Sequence, residues 1–377
     1  MRQAAEASRE SAHPPAGVHE RIRGVDLARA IAIVGMVMVH VGPTGSEATG
    51  ALGGIYGLSH GRASVLFVLL AGLGVSLLDS DRMLDGDRDS ARSAARRRPA
   101  WARLGFRAAL LLPLGLALQL LDHGVLVIVQ YYAVYFVVAA GAMTLRDRGL
   151  LGAAVLAAVV GPVAYLGAWH WQPEWFSGPA TALTDPPLVI ARNLALSGSY
   201  PLVVWSAPLL FGMWLGRHDL RATSARWRMV AGGLAVAVAA KSAAMGLGAW
   251  LGTPGTEPSW LQLAVDDAHS EMPLWLLGAT GAATAALGGS LVASDRFPRG
   301  TWPLVATGQL ALTIYVGHLL VLAGWPALLE RDDVLAAALS VSRFTIVVAG
   351  GAVAWRLRFA RGPLEAALRL PWAGRRG

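Results

Sequence analysis

Ten apolar stretches, each close to the roughly 20 residues that cross a bilayer core, run through this chain. They cover 26–44, 63–80, 105–122, 124–144, 149–168, 200–216, 229–251, 273–293, 302–325 and 335–355. Charged residues are only 15% of the 377, and hydrophobic ones are 55%. Soluble domains carry about 25% charge, so the apolar blocks leave little room for a water-soluble globule or a disordered chain. The absence of cysteine excludes a disulfide framework and any cysteine-based metal site or nucleophile. The expected fold is all-α, a polytopic membrane bundle of about ten transmembrane helices. The third and fourth stretches, separated by Asp122-His123-Gly124, read as a tight helical hairpin.

Charge sets the orientation. With the N-terminus in the cytoplasm, 26 of the 32 basic residues fall in inside segments. The outside segments hold Arg62, Arg192 and Arg331, and Arg29, Lys241 and Arg343 fall inside spans. This asymmetry obeys the positive-inside rule and predicts both termini in the cytoplasm. Residues 1–20 are polar and read as a flexible cytoplasmic tail, and the first span as a signal-anchor. The expected domains are that tail, a ten-span domain over 21–358 and a basic cytoplasmic tail over 359–377. The run Arg96-Arg97-Arg98 in the 81–103 segment reads as a topology determinant near anionic lipid. A net charge of +8 does not mean nucleic acid here, because the arginines lie between the apolar blocks. The bilayer is the expected partner, and a multi-pass protein of the cell membrane the expected location.

Ionisable residues inside spans are costly and usually face a bundle interior or a water-filled cavity. Asp26 and Arg29 are i,i+3 in the first span, and His40 follows Arg29 by eleven residues. Arg29 and His40 therefore share a face about 16 Å apart along the axis. They cannot touch, but one elongated ligand can touch both. A local Asp26–Arg29 pair with an interfacial histidine is the alternative. His40, His60, His123, His170 and His269 fall at outer span ends or outer loops, and His318 in the outer half of the ninth span. Such an outward set suits proton handling or general-base work. No HExxH spacing is present, so no metal is expected. Lys241 and Arg343 lie in spans without a deep acid; outer acids such as Asp266 or Asp333, or an anionic ligand, are their candidate partners. In the ninth span Tyr315 and His318 are i,i+3 and can pair.

The first-span run Arg21-Ile22-Arg23-Gly24-Val25-Asp26-Leu27-Ala28-Arg29 resembles the opening of the DUF418 (YeiB-like) membrane proteins. That opening is shared with the heparan-alpha-glucosaminide N-acetyltransferase-like (DUF1624) proteins. His60-Gly61-Arg62 with Ala71-Gly72-Leu73-Gly74 is similar to the second-span motif. Gly198-Ser199-Tyr200-Pro201 with Gly212-Met213-Trp214 is similar to the sixth-span motif. Ala268-His269-Ser270 and Gly308-Gln309-Leu310 through Tyr315 resemble the C-terminal signature. Arg29 and His40 also match the Arg-(ten residues)-His spacing of the acyltransferase-3 family. Position 30 is Ala where the first-span motif commonly has Gly.

The resemblance implies a transmembrane acyltransferase moving an acyl group, acetyl first among candidates, from cytoplasmic acyl-CoA to an acceptor, often a saccharide, at the outer face. His40 would be general base or transient acyl carrier, and His60 lies in the outer region where the heparan-type enzymes keep theirs. Arg29, with Lys241 and Arg343, would hold the donor; Asp26, His269, Tyr315 and His318 would support the site. Acyl-CoA enters as a co-substrate, and no tightly bound cofactor is expected. The rival reading is a transporter of a small anionic metabolite. Arg29 and His40 around one cavity would favour the enzyme; paired discontinuous helices around Lys241 would favour transport.

Overall fold

The computed structural model describes residues 21–43, 50–57, 59–83, 90–255 and 257–369. The tail 1–20, segment 84–89 of the basic stretch and residues 370–377 lie outside the described residues. The main regular elements among the described residues are helices: α1 (Arg23–Val41), α2 (Gly50–Gly57), α3 (Arg62–Met83), α4 (Ser90–Leu118), α5 (Tyr131–Ala142), α6 (Asp147–Trp171), α7 (Pro187–Arg192), α8 (Leu202–Leu215), α9 (Thr223–Leu251), α10 (Pro273–Arg296), α11 (Trp302–Gln309), α12 (Ala311–Gly324), α13 (Val334–Arg358) and α14 (Pro363–Ala367). A π-helical turn, Asn193–Ser197, continues α7.

Each apolar stretch has a helical counterpart. Among the described residues six helices are long and apolar enough to cross a membrane alone, and two bent pairs bring the number to eight. The remaining two stretches are the shorter apolar helices Arg62–Leu78 and Tyr131–Ala142. Backbone hydrogen bonds closed within each helix are what allow such segments to sit in hydrocarbon. α1 and α10 are the most enclosed. α6, α9 and α13 turn large apolar side chains outward, among them Leu156, Val159, Val238, Ile346 and Val347, as lipid-facing helices do.

Glycines set the closest crossings. Gly72 of α3 lies against the Leu209 carbonyl of α8, and Gly212 of α8 against the Leu69 carbonyl of α3. Gly308 of α11 lies against the Asp26 carbonyl of α1. Small residues let backbones approach in membranes, where packing rather than water drives association.

Three spans are not the continuous helices that hydropathy suggests. The expected hairpin between the third and fourth is instead a long non-helical segment, because α4 stops at Leu118 and α5 starts at Tyr131. Its core, Val125-Leu126-Val127-Ile128-Val129, is as apolar as a helix but rich in β-branched residues, which favour extended backbone. Its polar groups are met one by one. Gln119 Nε2 donates to Val125 O (3.0 Å) and its Oε1 accepts from Val127 N (2.9 Å). The Tyr200 hydroxyl donates to Leu126 O at 3.2 Å, and the Tyr315 hydroxyl accepts from Ile128 N at 3.4 Å.

The sixth span is longer than the expected 200–216, because Pro187–Ser197 precedes α8 at a 58° bend, and the ninth bends by 80° between α11 and α12. The Tyr131 hydroxyl accepts from Ser199 N at the first break, at 3.0 Å.

A methyl group at the α1–α11 crossing has nowhere to go, whereas Gly246 faces open space. Overpacking costs about 1–3 kcal/mol. Gly308→Ala should therefore lower the thermal midpoint of the detergent-solubilised protein by several degrees, while Gly246→Ala should leave it unchanged or raise it.

Candidate functional site

Asp26 lies in the first turn of α1 and is 1% exposed. Its carboxylate accepts from Arg21 Nε at 2.6 Å and Arg21 Nη2 at 3.0 Å. It also accepts from Arg29 Nη1 at 2.7 Å and Gln309 Nε2 at 3.2 Å. Four donors, three of them charged, satisfy a carboxylate that would otherwise be too costly to bury. The local Asp26–Arg29 pair is therefore present. It does not exclude a ligand role, because Arg29 also lines a cavity of about 1050 Å³.

One end of that cavity is lined by Arg21, Arg29, Arg107, Arg217, Arg221, Arg361 and Arg369 with Asp219; behind the wall Asp26 pairs with Arg21 and Arg29, and Asp147 with Arg217. Arg107 has Arg29, Arg103 and Arg369 within electrostatic reach. Such crowding of like charge around a partly enclosed space is repulsive, and an anion relieves it. The lining then turns apolar and aromatic through Leu111, Met36, Ile128, Tyr132 and Tyr315.

One helical turn beyond Met36 on α1 is His40, and one turn beyond Tyr315 on α12 is His318. The two meet, with His40 Nδ1 to His318 Nε2 at 3.0 Å. Their rings lie parallel, 5.3 Å apart and 5° between planes. Tyr315 packs edge-on to His318 at 5.1 Å. The contact needs one proton between two nitrogens, so one ring donates and the other accepts. Among the described residues no partner takes His40 Nε2.

A second cluster joins the turn before α3 to the loop before α10. Gly61, at φ +69°, lets the His60 turn lie on Trp275. His269 sits among Tyr200, Trp205 and Trp275, with ring centroids 5.6, 6.1 and 5.8 Å away. His269 (φ 58°) and Glu271 (φ 63°) are the non-glycine residues in left-handed backbone among the described ones, a strain of about 1–3 kcal/mol each. Glu271 is buried and accepts from Trp205 Nε1 at 2.7 Å. Burial lowers His269 to about 4, with His60 adding to it. Burial also lowers His60, opposed by the Tyr56 carbonyl and aided by Arg62. Burial pushes the Glu271 carboxyl well above the usual carboxylate range, against the pull of the Trp205 N–H.

The remaining candidates stand elsewhere. Lys241 is exposed on α9 and pairs with Asp266 at 3.0 Å, so a loop acid is its partner. Arg343 is exposed on α13. Neither lines the cavity. His123 is a clasp: Nδ1 accepts from Val125 N and Nε2 lies on Leu118 O, both at 3.0 Å, which leaves it no free nitrogen. Sequence reasoning passed over Arg107, Gln119, Glu271 and Glu365. Arg107 counted among the inside arginines, Gln119 fell within the third stretch, and Glu271 and Glu365 fell in a loop and the tail; none carries a spacing signal that marks it.

A family model described as an acyltransferase domain matches residues 125–355. The match takes in Tyr315, His318, His269, Lys241 and Arg343, and starts after α1, which carries Arg29 and His40, and after the turn that carries His60. No curated protein matches the chain.

The outer cluster makes stability depend on pH in two opposite ways. His269 resists its proton in the folded state, so folding loses stability as pH falls from 6.5 toward about 4. Glu271 holds its proton, so stability is lost as pH rises above 4.5. His269→Asn, a residue that tolerates left-handed backbone, should shrink the fall in thermal midpoint between pH 7 and pH 5. Glu271→Gln should raise the midpoint at pH 8 more than at pH 5.

Proposed function

The chain belongs to the acyltransferase-domain family, and on that premise we propose that it transfers an acyl group, acetyl first, from acyl-CoA to an acceptor across the membrane. The observation that carries this reading is the alignment of two features on the same two helices. An arginine-lined cavity runs along α1 and α12, and a histidine pair bridges those helices one turn past its deep end. A long donor with phosphates at one end and a thioester at the other suits that layout.

In this reading Arg29 and its neighbours hold the anionic end of the donor, and the apolar lining takes the pantetheine arm. His318 Nε2 accepts from His40 Nδ1–H, which leaves the lone pair of His40 Nε2 to act as base. It takes the proton of an acceptor hydroxyl or amine as the acceptor oxygen or nitrogen attacks the thioester carbonyl. The C–S bond breaks, the CoA thiolate leaves, and His40 returns the proton to it. Neutral histidines are required, because a doubly protonated pair cannot share the bond. Gln309 and Asp26 hold Arg29 in place. The His60–His269 cluster, on the side away from the arginines, is the candidate acceptor entrance, with saccharides as the first class to try. Lys241 and Arg343, being remote from the cavity, have no donor role here.

The DUF418-like motifs support a placement near that branch, since they fall at structural turning points. His60-Gly61-Arg62 makes the turn on Trp275, Gly198–Pro201 spans the break before α8, and Gly308–Gln309 meets Asp26. The inward-facing arginines support cytoplasmic termini and a cell-membrane location. The two bent spans are the feature that favours transport. They do not surround Lys241, and the break at Leu310 opens on the same cavity.

The test is release of CoA from radiolabelled acetyl-CoA by the protein in nanodiscs. Wild type should release CoA or retain label, and His40→Ala should lose the activity by about a hundredfold or more, with His318→Ala close behind. No release from folded wild type would turn the reading to export of an anionic metabolite.

A further inference from the structure

The break in the ninth span leaves the first N–H groups of α12 without partners inside their own helix. Exposed to hydrocarbon, such groups cost several kcal/mol. Their partner comes from the opposite end of the sequence. Glu365, in the short helix α14, accepts from Leu312 N at 2.8 Å and from Thr313 N at 3.1 Å through Oε1. Its Oε2 accepts from the Thr313 hydroxyl at 2.6 Å. The Thr313 oxygen in turn accepts from Leu364 N at 3.2 Å, in the first turn of α14. Each helix caps the N-terminus of the other, a capping box made between two segments instead of within one. A carboxylate there is also favoured by both helix dipoles.

The clasp is held at its other side. Trp355 Nε1 donates to Arg361 O at 2.8 Å, which pins residues 359–362 to the end of α13. Ala360, Arg361, Leu368 and Arg369 line the arginine-rich end of the cavity. Thr313 and His318 sit five residues apart on one uninterrupted helix, about 7.5 Å along its axis. Whatever fixes the start of α12 fixes the ring of His318.

We infer that Glu365 is a positioning residue, which caps α12 at the Leu310 break and so holds Tyr315 and His318 in register with His40. This deepens the acyltransferase reading and rests on it for its meaning in catalysis; the coupling itself does not depend on the reaction. It explains why a carboxylate from a basic C-terminal segment is folded back among arginines. It also gives the cytoplasmic end of the cavity a mechanical link to the histidine pair at the other end.

The experiment reads the rings directly. Protein labelled with ¹⁵N-histidine in nanodiscs gives ring-nitrogen resonances, with those of His40 and His318 assigned by His40→Gln and His318→Gln. Glu365→Ala should shift both, while His170, exposed at the end of α6, stays in place. Acetyl-CoA turnover should fall about tenfold or more, with KM within about threefold. Glu365→Gln keeps an oxygen for the two N–H groups and should fall between wild type and Ala. Thr313→Val removes the hydroxyl and leaves the carboxylate, and it carries the test should Glu365→Ala not fold. Unchanged His40 and His318 resonances in folded variants would overturn the inference. Shifted resonances in a protein that never releases CoA would uphold the positioning role and remove the acyltransferase reading instead.

Discussion

Asp26 is a carboxylate taken almost wholly out of water, and the inner end of the bundle is organised around it. Its oxygens receive Arg21, Arg29 and Gln309, while its own backbone carbonyl receives the bare face of Gly308. One residue thus sets the α1–α11 crossing and the orientation of the cavity arginine. A carboxylate this deeply buried is costly without its cationic partners, and Asp26 has two of them, Arg21 and Arg29. The arrangement persists because every acceptor site is filled and because Arg29 still reaches the cavity. Ion pair and cavity wall are one construction.

The same accounting explains the irregular parts of the bundle. A span that stops being helical exposes backbone N–H and C=O groups where no water can meet them. Gln119 and Tyr315 meet the extended segment before α5, Tyr131 the break before α8, and Glu365 the break before α12. These breaks let the segment before α5, the bent ninth span and the C-terminal segment converge on one cavity. Tyr315 belongs to both systems, bonding Ile128 and packing on His318.

Each of the ten apolar stretches holds a helix, because apolar length is what the bilayer demands, while the short helices α2, α7 and α14 lie outside them. It could not show where helicity stops, since Val125–Val129 is as apolar extended as it would be helical. The Arg29–His40 spacing was legible because a helix converts eleven residues into a shared face. The partner of His40 was not, since His318 lies 278 positions away and only the fold joins them. Lys241 stood out as a cation in a span, yet its pairing with Asp266 and its distance from the cavity depend on which way α9 faces. Neither Glu271 nor Glu365 was marked by the sequence; the burial of Glu271 follows from a strained loop and the half-buried place of Glu365 from a returning tail, which have no periodicity to read.

The central claim is that the arginine-lined cavity is built for the anionic end of an acyl-CoA. Its most direct test is calorimetric titration of acetyl-CoA into the nanodisc-embedded protein, beside Arg29→Gln, with free acetate as control. The account predicts saturable binding by wild type, weakened about tenfold or more by the substitution as a charge-assisted contact is lost, and no binding of acetate. A folded wild-type protein that gives no heat with acetyl-CoA, or binds it equally well without Arg29, would contradict it.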